Sequence, residues 1–390
     1  MRVKAAFAAV SLIAVSGFTT APSNSPGKPE TTTKPPVTVC TSHRIQVAIL
    51  LDVSGSMSGL IEQAKIQLWN MVTTLGRAKC GDAAAPQFEL ALYEYGRSTN
   101  DVKKGYVKQL SPFTSDLDQV SSVLFSLNTN GGDEYCGEVI HTSMDELAWD
   151  KSNGNYKVIF IAGNEDFLQG KLHYTQACAK ANAKGVIVNT IYCGDYQQGI
   201  REHWNLAGEC GNGSYSHINH NSIEDDIATP WDTTLIVLNK KLNSTYIGYG
   251  TMGAANTVRQ EQVDEMNGFN NKAYFKRAEA KAQSNVYGNA SWDLVDAYNA
   301  QKDILKKIEF KTLPDSLRNK TASELEVIIK TKSAERIKIQ KQIMTVSASR
   351  SSFIAAEKAK KAGGSKESTL ETVIDKALKE QVRRVKMVIE

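Results

Sequence analysis

The chain has 390 residues, 41% of them apolar, long enough to bury a large core and to fold as a globular protein of two to three domains. Beyond its first residues no segment approaches the ~18 uninterrupted apolar residues of a spanning helix, which excludes a multi-span membrane protein. The net charge of +4 conceals an asymmetry: residues 270–390 hold 25 Lys and Arg against 15 Asp and Glu, leaving the rest acidic.

Met1-Arg2-Val3-Lys4 places two positive charges before an apolar stretch from Ala5 to Phe18, followed by the small residues Thr19, Thr20 and Ala21. That pattern predicts a secretory signal peptide over 1–21, so the mature chain is expected to be secreted or periplasmic, with no transmembrane segment after cleavage. Residues 22–40 are rich in Pro, Ser, Thr and Lys and read as an extended linker. Six cysteines, Cys40, Cys80, Cys136, Cys178, Cys193 and Cys210, follow. An even number in an exported chain favours disulfides, and the lack of a C-x-x-C pair argues against a zinc ribbon or redox site.

From Arg44 short apolar runs alternate with helical patterns. IQVAILL (45–51) predicts a strand ending at Asp52, and Leu60, Ala64, Leu68, Met71, Val72 and Leu75 share one face of a helix over 60–75. FELALYEY (88–95), KVIFI (157–161) and VIVNTIY (186–192) read as strands; 116–127, 136–147 and 173–183 read as helices. A closing helix is expected over 223–242 despite Pro230. Strands alternating with helices of this length imply parallel β-α-β crossovers, so 41–242 is expected to be a doubly wound α/β domain with a mainly parallel sheet. The start of the first strand and the end of its following helix then share one end of the sheet, which pairs Cys40 with Cys80. Cys193 with Cys210, flanking one loop, and Cys136 with Cys178 are the remaining pairs.

Beyond Tyr249 the strand patterns stop. Ser291 is a candidate cap for a helix over 292–307, Pro314 breaks the chain, and Thr321 with Glu324 forms a capping box for a helix reaching about residue 362. Gly363-Gly364 ends it, and Leu370, Val373, Ile374, Leu378, Val382 and Val385 line one stripe of a last helix. Residues 243–390 are therefore expected to be an α-helical, coiled-coil-like region with a long helical hairpin. Its basic residues alternate with acids at helical spacing, which reads as solvated helix faces.

The candidate chemistry sits in the loop after the first strand. Asp52 is delivered at the carboxyl end of that strand, the edge where open parallel sheets bind ligands, and Ser54 and Ser56 follow in a turn loosened by Gly55 and Gly59. One carboxylate and two alternately placed hydroxyls can set three oxygens around a hard cation such as Mg²⁺. The same residue types also make turns and helix caps, and the helix at Leu60 needs an N-terminus. The strand before the loop and the amphipathic helix after it favour the cation.

ILLDVSGSMSG resembles the metal-ion-dependent adhesion site (MIDAS) of von Willebrand factor A (VWA) domains, and the likeness extends over about residues 44–242. It implies that Ser54 and Ser56 bind the metal, Mg²⁺ or another divalent cation, that Asp52 supports it, and that a partner's carboxylate completes the shell. The second family loop usually offers a Thr after glycines; here Gly131-Gly132-Asp133 puts Asp133 in the matching place. The third usually ends a strand with Thr-Asp-Gly; KVIFIAGNED puts Ala162-Gly163-Asn164 there, so Asn164, Glu165 or Asp166 must substitute. AGNEDFLQG, VIVNTIYCGD and GNGSYSHINHN also resemble bacterial exported VWA proteins with a helical C-terminal region.

Other chemistries lack a motif. His217-x-x-His220 with Cys210 is too loose for zinc, Gly55-Ser56-Met57-Ser58-Gly59 centres on Met57 and so is not a nucleophile elbow, and no phosphate-binding glycine loop is present. The expected function is non-enzymatic binding, cell adhesion included, of a protein or glycan ligand through an acidic group, with no nucleic-acid partner. The alternative is a metal-independent scaffold or assembly protein that makes contact through the C-terminal helices.

Overall fold

The computed structural model describes residues 44–81, 85–218, 227–361 and 370–389. The expected signal peptide, the linker, Cys40, His220 and the Gly363-Gly364 turn lie outside them. In chain order the first part comprises β1 (Arg44–Asp52), α1 (Ser58–Leu75), β2 (Ala78–Lys79), β3 (Gln87–Tyr95), β4 (Lys108–Thr114), α2 (Leu117–Phe125), α3 (Cys136–Glu146), β5 (Tyr156–Gly163), α4 (Tyr174–Ala183), β6 (Ile187–Cys193), α5 (Tyr196–Arg201), α6 (Trp204–Cys210) and β7 (Asn212–Ile218). Six strands form one sheet in the order β4-β3-β1-β5-β6-β7. Neighbours run parallel except β4, which is antiparallel to β3 at the edge.

This is the doubly wound, mainly parallel α/β sheet expected from the sequence. β1 lies at its centre and is buried on both faces, which is why its sequence is a continuous apolar run. Alternate side chains serve two cores: Ile45, Val47, Ile49 and Leu51 join Leu68, Met71, Val72 and Leu75 of α1, while Ala48 and Leu50 join Val139 and Ile140 of α3, Ala177 of α4 and Ala207 of α6. The edge strands β4 and β7 carry little apolar alternation, and Pro112 is tolerated in β4 because an edge strand has one unpaired side.

The remaining elements are α7 (Asp232–Asn243), α8 (Gly253–Asn267), α9 (Asn271–Lys281), α10 (Leu294–Ala300), α11 (Ala322–Lys361), α12 (Leu370–Val382) and β8 (Val388–Ile389). The helix expected over 223–242 starts only at Asp232, because the Asp232 carboxylate takes hydrogen bonds from the Thr229 N–H (2.9 Å) and hydroxyl (2.6 Å) and closes a turn around Pro230. Ile223 lies outside the described residues. The helix expected over 292–307 is shorter. Asp293, not Ser291, caps it by accepting from the Asp296 N–H at 3.0 Å, and Gln301 is extended and breaks it. The capping box on α11 forms as read, with Thr321 N–H donating to Glu324 at 2.8 Å and Glu324 N–H to the Thr321 hydroxyl at 3.2 Å.

The two long C-terminal helices do not use each other as partners in an antiparallel coiled coil. α11 packs on α7, α9 and α10, whereas α12 packs on α1 and β7. The apolar stripe of α12 is taken by the sheet: Ile374, Leu378 and Val382 enter the α1-side core, and Asp375 accepts from Thr74 (2.7 Å) and Asn70 (3.2 Å) of α1. β8 then pairs antiparallel with β2. The boundary expected at 242/243 therefore runs through one continuous core, which also contains Val263, Phe275, Ile339 and Ile343.

A buried ion network crosses the same boundary. Arg277 of α9, fully buried, bonds Asp118 of α2 and Asp264 of α8, each at 2.6 Å, and its guanidinium lies 4.9 Å from the centre of the Trp69 ring of α1. Lys281 adds a second cation to Asp264 at 2.9 Å, and Tyr287 donates to Asp118 at 2.7 Å. Burial opposes the Asp264 carboxylate, but Lys281 and Arg277 together hold it well below the usual carboxylate range.

The expected cysteine pairs are corrected in two cases. Cys193 belongs to the α1-side core, while α6, which carries Cys210, packs on the opposite face, so the sheet separates the two. Cys136 is a free thiol that meets the Tyr95 hydroxyl (3.7 Å), and Cys178 on α4 faces α6 instead. Cys80 is disulfide-bonded; Cys40, the partner expected for it, is not among the described residues.

Candidate functional site

Asp52 is the last residue of β1, next to Tyr95 at the end of β3, and the chain leaves the sheet with Val53 N–H bonded to the Tyr95 carbonyl at 2.9 Å. The loop then folds over the strand end. Asp52 Oδ1 accepts from Ser54 N–H at 2.7 Å, the hydroxyls of Ser54 and Ser56 meet at 3.2 Å, and Asn164 Nδ2 donates to Ser56 Oγ at 3.0 Å. Asp52, Ser54, Ser56 and Asn164 are thus brought together as expected. Asp52 and Ser54 are buried, whereas Ser56 is exposed and Asn164 half-buried, so the cluster opens to solvent on that side only.

Asp133 does not join them. It is exposed, and its carboxylate accepts from the hydroxyl of Tyr135 at 3.2 Å. The next residue, Glu134, is buried and takes its place, its side chain packed beside Asp52 over Gly96. The second loop is anchored by Asn130 N–H to the Val53 carbonyl (2.9 Å) and Ser98 N–H to the Gly131 carbonyl (2.8 Å), and that register turns Glu134 inward. Sequence reading missed it because the family pattern counts residues from the glycines, whereas the position facing Asp52 lies one residue further on. The signal available was a second acid directly after Asp133, two residues before the helix that begins at Cys136.

Two carboxylates therefore meet at a buried position, and each has an oxygen without a hydrogen-bond partner, Asp52 Oδ2 and Glu134 Oε2. Burial pushes the Asp52 carboxyl up to about 6, against the lowering effect of Ser54. Burial and the neighbouring Asp52 charge push Glu134 up to about 9. Beneath them Tyr95 donates to the Ala162 carbonyl at 3.0 Å, giving an uncharged floor. Two buried carboxylates with orphaned oxygens, beside two hydroxyls, could serve as donors to a hard divalent cation, whose charge would offset the repulsion and accept the unused oxygen lone pairs. The residues that would hold it are Asp52, Glu134, Ser54 and Ser56, with Asn164 at the rim. Glu165 lies near enough to raise both carboxyls further but is exposed, and Gln169 donates to its carboxylate at 3.3 Å.

Gly96, just after β3, makes the close approach possible. Its φ is +81°, and a Cβ there would lie 2.8 Å from Asp52 Oδ1 and 2.9 Å from Glu134 Cγ. Gly96→Ala is expected to cost about 2–4 kcal/mol from backbone strain and overpacking and to weaken any cation bound between the carboxylates. Urea unfolding and calorimetric titration measure the two effects, and a variant with unchanged stability would show that the carboxylates are not wedged together.

No family model matches the chain, and no curated protein matches it. Among solved structures it is similar to the SpRpn10 VWA domain (14% identity, TM-score 0.33, covering 45% of this chain and 86% of that one). It is similar also to the conserved hypothetical protein BatB from Bacteroides thetaiotaomicron (17% identity, TM-score 0.32, 45% and 90%). A third is proximal thread matrix protein 1 from the mussel byssus, with a zinc-occupied MIDAS motif (11% identity, TM-score 0.33, 46% and 42%), of which the chain spans less than half the length. With its β4-β3-β1-β5-β6-β7 sheet and the Asp52-Val53-Ser54-Gly55-Ser56 loop at the carboxyl end of β1, the chain has a von Willebrand factor A-like fold.

Proposed function

We propose that this chain is an exported, non-enzymatic binding protein that holds a divalent cation between Asp52 and Glu134 and uses it to capture an acidic group on a protein or glycan partner. The observation that carries the reading is the pair of buried, unpartnered carboxylate oxygens at the carboxyl edge of a parallel sheet. A metal-free site would have to share a proton between them, whereas a cation satisfies both. Ser56 and Asn164 leave one side open, where a carboxylate from outside can complete the shell. The signal-like N-terminus supports export, and among the described residues no helix is long and apolar enough to cross a membrane. The rim offers carboxylate and hydroxyl oxygens of the kind that hold a hard cation, which supports binding over catalysis.

Calorimetric titration of Mg²⁺ and Mn²⁺ into the full chain tests the metal, with one saturable site expected. A glutamate-rich peptide tests the partner chemistry: its binding is expected with Mg²⁺ and is lost when EDTA is added. The absence of saturable metal binding would overturn the reading, and peptide binding that survives EDTA would overturn its cation-bridged form.

A further inference from the structure

Cys178 and Cys210 belong to no part of the site, yet they face each other. Cys178 lies on the inner side of α4, where its thiol reaches the Ala207 carbonyl of α6 at 3.7 Å. One turn further along α4, Asn182 Nδ2 donates to the Cys210 carbonyl at 3.0 Å. Two positions one turn apart on α4 thus meet two positions one turn apart on α6. Because a helical Cβ tilts toward the N-terminus, the Cys210 side chain lies back over the turn of Ala207 that Cys178 already touches. The Cys210 thiol is near enough to help burial push the Cys178 thiol up, and both are free thiols with Tyr174 nearby. No other described cysteine competes: Cys193 is on the other face of the sheet and Cys136 is held against Tyr95.

The helix carrying Cys210 braces the third loop of the site. Trp204 Nε1 donates to the Glu165 carbonyl at 2.8 Å, His203 Nδ1 meets Asp166 Oδ1 at 2.9 Å, and Phe167 N–H donates to the Glu202 carbonyl at 2.9 Å. All three contacts come from the N-terminal end of α6 or the residues just before it, and Cys210 is its last residue.

We propose that Cys178 and Cys210 form an intrachain disulfide, made by exchange with a small-molecule disulfide, that clamps α6 to α4 behind the loop running from Asn164 to Leu168. Cys210 is half-buried and Cys178 buried, which sets the order of the steps. The Cys210 thiolate attacks one sulfur of oxidised glutathione, forming a mixed disulfide and expelling one glutathione thiolate. The Cys178 thiolate then attacks Cys210 Sγ, forming the internal bond and expelling the second. The protein loses two electrons and two protons, and oxidised glutathione becomes two reduced molecules.

The test uses the full chain, reduced and then incubated with oxidised glutathione, unfolded at low pH, alkylated and mapped by mass spectrometry. The expected result is one linked pair of peptides containing Cys178 and Cys210, two hydrogens lighter than their sum, with Cys136 and Cys193 alkylated. Relative to Cys210→Ser treated identically, the oxidised chain is expected to gain roughly 3–6 °C in Tm, as for a loop of this length in a large domain. The Cys210→Ser comparison removes any contribution from Cys80. Recovery of both thiols alkylated or glutathionylated, or a link to Cys193 or Cys136 instead, would overturn the pairing. A correct link with no gain in Tm would overturn the clamp. Neither outcome bears on the metal, which is read by titration.

Discussion

Glu134→Gln is expected to abolish cation binding at the rim and, at the same time, to make the metal-free chain more stable. The side chain keeps its size and its hydrogen-bonding reach but can no longer ionise beside Asp52, so it cannot offer a carboxylate to a cation. Removing a charged ligand costs more than disturbing an outer partner, so the affinity for Mg²⁺ or Mn²⁺ falls by on the order of 100-fold or more. Without metal, the wild-type chain must hold a proton on Glu134 at neutral pH, where the unfolded chain would ionise it, and the amide removes that cost of about 1–3 kcal/mol. Calorimetric titration reads the first effect and urea unfolding in EDTA reads the second. The opposite signs are the diagnostic feature, because a residue important only for folding would lose both. Unchanged metal affinity would move the cation away from Glu134, and lower apo stability would mean that the pair is already compensated.

Arg277→Met is expected to destabilise the whole described chain by about 3–5 kcal/mol, since it leaves Asp118 as an uncompensated buried charge. Asp264 keeps Lys281 and is less affected. The double variant Arg277→Met, Asp118→Asn removes the stranded charge and is expected to recover at least half of the loss, a coupling that a double-mutant cycle measures. Because Arg277 joins α2 to α8 and α9, the loss is expected in a single transition seen equally by far-ultraviolet circular dichroism and tryptophan fluorescence. Two separate transitions would show that the α/β part and the helices unfold independently. A loss below about 1 kcal/mol would show that the network is accessible to water.

Much of the α/β half was legible in the amino-acid sequence because central parallel strands are apolar on both faces and their crossover helices are amphipathic. β1, β3, β5 and β6 were read from their apolar runs, and the chemistry of Asp52, Ser54 and Ser56 from a loop that is local in sequence. The edge strands escaped because one side of an edge strand is solvated and its composition need not alternate. α8 and α9 escaped because their buried faces mix apolar residues with Asn256, Gln260, Asp264, Asn267, Arg277, Glu279 and Lys281, polar residues several of which find their partners far away in the sequence, as Asn267 does in Trp69, Glu279 in Arg77 and Arg277 in Asp118.

The sequence by itself determined the periodicity, the order of strands and helices, the rim loop and the capping box of α11, since each depends on neighbours a few residues apart. Only the tertiary structure decided that Glu134 rather than Asp133 faces Asp52, that α12 packs on the sheet rather than on α11, and that Cys178 meets Cys210. Those outcomes depend on which side chain a loop register turns inward and on which apolar surface is left uncovered. Both are fixed by contacts between residues tens to hundreds of positions apart, which no local pattern encodes.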